Sequence, residues 1–183
     1  MENKGYALIA LMILISVMCI FLMTAVPVWQ TIIQREKEEE LIFRGKQYVE
    51  AIRIYQSKHP GAFPRNLEEL YKERCIRKLY RDPMTEHGKW YVILPSTKIK
   101  PFRRPKRAFQ KKTFSFNEVL LVPEEQLDSI DFPQIIGVAS RSNKKSIKIY
   151  LNQNQYDKWL FFYGQDPKKM PKIIYYGKVE GMP

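Results

Sequence analysis

The sequence predicts an α+β protein: a long N-terminal helix, transmembrane in its first half and amphipathic in its second, packed on a small antiparallel β-sheet. Three observations predict it. Between Lys4 and Arg35 no residue is charged. Leu41, Gly45, Tyr48, Val49, Ile52 and Tyr55 then recur at three- and four-residue steps, the stripe of an amphipathic helix. Short β-branched and aromatic runs, separated by Pro, Gly, Asn and Asp, occupy the C-terminal half, the punctuation of strands and turns.

The first element is the apolar run. Tyr6 to Trp29 is 24 uncharged residues, about 36 Å as a helix against a hydrocarbon core of about 30 Å. A secretory signal has a shorter apolar core, about 7–15 residues. The best cleavage-like site for ordinary signal peptidase, "MTA" at residues 23–25, places a bulky Met where a small residue is preferred. The run is therefore read as a retained single-pass anchor, with the short leader inside and the rest of the chain outside. After Pro27, an expected kink, the helical pattern continues to about Ser57, where "KHPGAFP" ends it. This divides the chain into a leader (residues 1–5), a transmembrane half-helix (6–34) and a soluble domain (35–183).

Within that domain "PRNLEELYKERC" at residues 64–75 predicts a short second helix capped by Asn66. A turn carrying Asp82, Pro83 and Gly88 leads to a strand at residues 90–94. "IIGVASRS" (135–142) and "SIKIYL" (146–151) read as a hairpin turning at residues 143–145, and 156–163 and 172–177 as two further strands.

The net charge is +12, and much of the excess is local. "KIKPFRRPKRAFQKK" places Lys98, Lys100, Arg103, Arg104, Lys106, Arg107, Lys111 and Lys112 in one acid-free loop with Phe102 and Phe109. Such a loop offers phosphates a cationic surface and bases a stacking face, for DNA or anionic lipid; a solvated loop between strands is the preferred reading. His59 and His87 stand alone beside turn residues, without the spacing a zinc site needs. No nucleophile-elbow, metalloprotease or P-loop motif is present. The sequence thus points to no enzyme, cofactor or metal. Trp90, Tyr91, Trp159, Tyr163, Tyr175 and Tyr176 are read as core rather than as a ligand box. Cys19 in the apolar run and Cys75 in the domain are too far apart to pair.

One likeness is more specific. Lys4-Gly5, then the aromatic Tyr6, then Leu8-Ile9, and Pro27 further along the run, resemble the N-terminal signature of type IV pilins and type II secretion pseudopilins. "AFPRNLEEL" (62–70) and Asp82-Pro83 resemble the small, major-type pseudopilins; the signature covers about 25 residues and the wider likeness about 85. The resemblance implies cleavage by a prepilin peptidase between Gly5 and Tyr6 and N-methylation of Tyr6. It implies a bacterial inner-membrane protein with a cytoplasmic N-terminus and a periplasmic domain, a structural subunit working with other pseudopilins and an inner-membrane assembly platform. Leu8, Ile9, Ala10 and Pro27 would belong to the assembly helix. At Ala10 the chain departs from the family, which nearly always has Glu there. Three readings stay open: a minor tip subunit, since one minor class also lacks that acid; a fibre subunit using another contact; or a permanently membrane-resident derivative. A second departure is the C-terminal "YGQDPKKMPK" (163–172), which has one acid where the major type has a calcium loop; Ca²⁺ takes about six oxygen ligands, so no calcium site is expected. The competing function is a single-pass anchored module that binds DNA or anionic partners through its basic loop.

Overall fold

A computed structural model describes residues 4–96, 116–167 and 169–177. The basic stretch at 98–112 and the leader residues 1–3 lie outside the described residues. The chain separates into two compact units, Met1–Lys37 and Glu38–Pro183. Helix α1, Lys4–Lys58, contributes to both and runs unbroken through Pro27. Proline removes one backbone donor; the Pro27 carbonyl itself accepts an extra bond from Thr31 Oγ1 at 3.0 Å.

The N-terminal unit exposes its apolar side chains, with Tyr6 at 79%, Met12 at 70% and Phe21 at 70% of full accessibility. It is the one described helix long and apolar enough to cross a membrane.

In the second unit the amphipathic stripe does what its spacing dictates. Leu41, Gly45, Tyr48, Ile52 and Tyr55 are buried, while Val49 is half-buried. Helix α2 is shorter than expected, Leu67–Lys72, and Asn66 caps it: its Oδ1 accepts from Glu69 N at 2.7 Å. The seven strands are β1 (Trp90–Pro95), β2 (Glu118–Pro123), β3 (Gly137–Ser140), β4 (Lys145–Tyr150), β5 (Gln153–Gln155), β6 (Leu160–Phe162) and β7 (Lys172–Tyr175). A five-stranded sheet has the order β6-β3-β1-β2-β7, and β4-β5 form a separate ribbon. The α+β class holds, but the expected antiparallel sheet is mixed: β2 and β7 run parallel, with Val119 opposite Ile173 and Leu121 opposite Tyr175.

The expected hairpin between 135–142 and 146–151 does not form. β3 pairs with β1 and β6, and β4 pairs only with β5. Two buried carboxylates supply the reason. Asp82 Oδ2 accepts from Ser140 Oγ at 2.7 Å and from Arg141 N at 3.1 Å, just where β3 ends. Glu38 accepts from Ile147 N at 2.7 Å and Lys148 N at 2.9 Å, inside β4. Side-chain acceptors thus take amide groups a hairpin ladder would have used. β4 turns into β5 through Leu151 and Asn152, both at positive φ (49° and 61°). That is the backbone of a tight two-residue hairpin, and at Leu151 it costs roughly 1–2 kcal/mol.

The core lies between residues 38–58 of α1 and the five-stranded sheet. Trp90 and Trp159 are 1% and 0% exposed, and Tyr48 meets Trp90 edge to face at 5.8 Å. Tyr91, Tyr163 and Tyr175 are half-buried and pack against this core, whereas Tyr176 lies exposed outside it. Gly45 lets the α1 backbone approach the Phe161 ring so closely that no Cβ fits between them.

Asp82 also fixes the turn before β1, with Oδ1 accepting from Met84 N at 2.9 Å. Burial holds its carboxyl above the usual carboxylate range, against the pull of its hydrogen bonds. A carboxyl raised in the folded state contributes stability that is fully present below its unfolded pKa and is lost as pH rises through the folded value. Asp82→Asn removes that titration and weakens the bonds to Ser140 and Arg141, at a cost of about 1 kcal/mol. Melting curves of both chains between about pH 4 and pH 7 should show the wild-type advantage shrinking as pH rises. An advantage that grows with pH would contradict the assigned direction.

Candidate functional site

The candidate processing site sits at the head of α1. Gly5 and Tyr6 are both helical and both exposed, and a Cβ at Gly5 would meet nothing within 4 Å. A peptidase could therefore reach this bond from any side once the end turn of the helix frays. Fraying is cheap, because the first four amide groups of a helix have no intrahelical acceptor.

Beyond it Tyr6, Ile9, Ala10, Ile13, Leu14 and Val17 line one face of the helix in a shallow groove. Their steps of three and four residues are those of a helix–helix seam. Leu8 and Ile9 are exposed at 65% and 59%, and Ala10 is exposed between them and Leu11. The groove exists because Ala10 is small: a methyl group stands where its neighbours carry four or more side-chain carbons. Small residues let helices approach closely in an apolar medium, where dispersion contacts drive association. The only polar side chain on the following turn, Ser16, gives its hydroxyl to Met12 O at 2.8 Å. Pro27 follows on the same helix. The structure thus brings together Gly5, Tyr6, Leu8, Ile9, Ala10 and Pro27 on one element, as any continuous helix must; the cationic residues of the basic loop fall outside the described residues.

The residue that sequence reasoning missed is Glu38. It is 0% exposed, and besides Ile147 N and Lys148 N it accepts from Tyr156 Oη at 2.6 Å. Three donors converge on one carboxylate, which ties α1 to the β4-β5 ribbon and to the turn after it. Next to it Glu39 holds Lys148 Nζ at 2.6 Å on the surface. A signal was present: extending the buried stripe back from Leu41 by three residues lands on Glu38. Its place within "REKEEE" concealed it, since a run of acids reads as solvated.

A second polar cluster surrounds Tyr55 at the far end of α1. Burial, then the bond its hydroxyl gives to Glu69 Oε1 at 2.7 Å, pushes Tyr55 up to about 12. Glu69 also accepts from Arg65 N at 2.7 Å, so the cluster is a brace between α1 and α2. His59 and His87 are exposed beside turns. Among the described residues no three His, Cys, Asp or Glu side chains gather to hold a metal ion.

Comparison of the chain with family models, with curated proteins and with solved structures returned no match.

Proposed function

We propose that the protein is a pseudopilin-like structural subunit of a type II secretion or type IV pilus-type assembly machine. In this reading a prepilin peptidase removes residues 1–5 and methylates the Tyr6 amine. The chain then resides in the bacterial inner membrane, N-terminus cytoplasmic and folded domain periplasmic, until it stacks with other pseudopilins on the assembly platform. The observation that carries the reading is Gly5-Tyr6 at the head of a long apolar helix whose later turns, Leu41 to Tyr55, are built into the domain.

Physical reasoning supports it. A contiguous apolar surface on this scale is not left in water; it belongs in lipid or among like helices. No acid or base falls between Lys4 and Arg35, so exchange between those two apolar environments leaves no buried charge behind. Glu38 anchors the domain to the helix, so a force applied to the helix is passed to the domain.

A bulky charged residue in place of Gly5 should block the processing step. Gly5→Lys, co-expressed with a prepilin peptidase, is expected to remain in the membrane with its leader attached while the wild-type chain is shortened. Equal shortening of both chains would contradict cleavage at this bond.

Ala10 favours a second reading. Without a carboxylate in the apolar run, the helix cannot capture a neighbour's free amine in the way the resemblance implies. The chain would then be a fixed single-pass module that binds its partner, DNA or an anionic protein, through the basic loop. That reading predicts an intact Met1 terminus and loss of the partner when the loop lysines and arginines are neutralised.

A further inference from the structure

The outer face of β4 is unusual for a domain surface. Along the strand, exposed and half-buried residues alternate, and Lys145, Ile147 and Ile149 occupy the exposed positions. Ile149 is 73% exposed and Ile147 39%. Lys144 flanks them in the chain, and Lys148 stands between them, paired with Glu39. Three lysines against one exposed carboxylate leave the patch cationic. The ribbon ends in a tight turn whose first residue, Leu151, is a bulky apolar side chain held at positive φ, where Asn or Gly is usual. Such a turn retains a leucine against its conformational preference, and that calls for a function.

The chain itself limits where this patch can be. Glu38 pins Ile147 N and Lys148 N directly to α1. Glu38 is only five residues from Ile33, the last apolar residue of the run. Five residues span at most about 18 Å even when fully extended. Whatever path those residues take, β4 cannot leave the headgroup region of a membrane that holds the run by more than about that distance plus the thickness of the helix.

We infer that the β4-β5 ribbon is a lipid-docking edge: Ile147 and Ile149 enter the interface of the membrane that holds α1, and Lys144, Lys145 and Lys148 meet the phosphates of anionic lipids. The inference rests on the anchored reading of α1 and adds a second, reversible contact to it. Lysines supply attraction that falls with salt, and exposed branched side chains supply apolar burial; interfacial anchors combine the two. A domain held down in this way stays against the bilayer until its subunit is withdrawn.

The test uses the full chain in nanodiscs of phosphatidylcholine alone and of phosphatidylcholine with about one-third phosphatidylglycerol. Lysine acetylation is followed by mass spectrometry, with Lys72 on α2 as internal reference. Acetylation of Lys144 and Lys145 is expected to slow about fivefold in the anionic discs and to recover in high salt. The double variant Ile147→Ser/Ile149→Ser, which alters only exposed side chains, should lose most of that protection. Equal acetylation rates in the two discs would overturn the inference, as would undiminished protection in the double variant. A chain that does not enter nanodiscs at all would overturn the anchored reading itself, which separates the two failures.

Discussion

Glu38→Ala is expected to destabilise the folded unit by about 3 kcal/mol, one of the two largest effects of a single substitution on this fold. The side chain is fully buried, and its two oxygens accept from Ile147 N, Lys148 N and Tyr156 Oη. Removing them strands three donors away from water, each at about 1–3 kcal/mol. Release from burying the carboxylate returns part of that, and the remainder still exceeds what an exposed pair contributes. In a unit of this size the loss corresponds to a fall in melting temperature of roughly 10 °C. Amide exchange should report it locally, with Ile147 and Lys148 losing protection before the rest of the sheet. Glu39→Ala is the control: its carboxylate is on the surface, and its melting temperature should match that of the wild type. If the two variants melt together, the carboxylate at 38 does not hold the ribbon.

The second large effect is at Gly45. In an exposed helix, glycine to alanine would add about 1 kcal/mol of stability. Here the added Cβ would fall on the Phe161 ring, which is 1% exposed and packed against Tyr150 at 5.3 Å. The ring has nowhere to move, so helix and sheet must separate. Overpacking of this kind costs about 1–3 kcal/mol and more when the backbone must shift. Sterics therefore outweigh propensity: Gly45→Ala is expected to destabilise by about 2 kcal/mol, and Gly45→Val by more. Denaturant titration of the three chains checks the order, and a stabilised Gly45→Ala would show that the helix does not approach the sheet this closely.

Both residues show what can be read from the sequence and what cannot. Leu41, Gly45, Tyr48, Ile52 and Tyr55 announce a buried helix face because helical periodicity is local, repeating every few residues. Asn66 announces its cap for the same reason, and so does β1, whose turn carries Asp82-Pro83 and Gly88 before the apolar run. Strand partners are not local. "GVAS" and "SIKIYL" have the length and turn of a hairpin, and only the distant Asp82 and Glu38 decide that they separate. β2, "EVLLVP", lacks alternation because both of its faces are largely covered, which removes the period that would have announced it. β7 has the composition of a strand, but nothing in "KIIYYG" says that it will run parallel to β2. At the candidate site, Gly5, Tyr6 and Ala10 are legible as residues. Their meaning depends on what the helix meets, which no local pattern encodes.

The account's central claim is that the apolar helix is trimmed at its head and then kept. The most direct measurement is the intact mass of the full-length protein purified from membranes after co-expression with a prepilin peptidase. The account predicts a chain that begins at Tyr6, carries one added methyl group on its amine and retains everything from Ala7 onward. A chain that still begins at Met1, or one cut near Ala25, would contradict it.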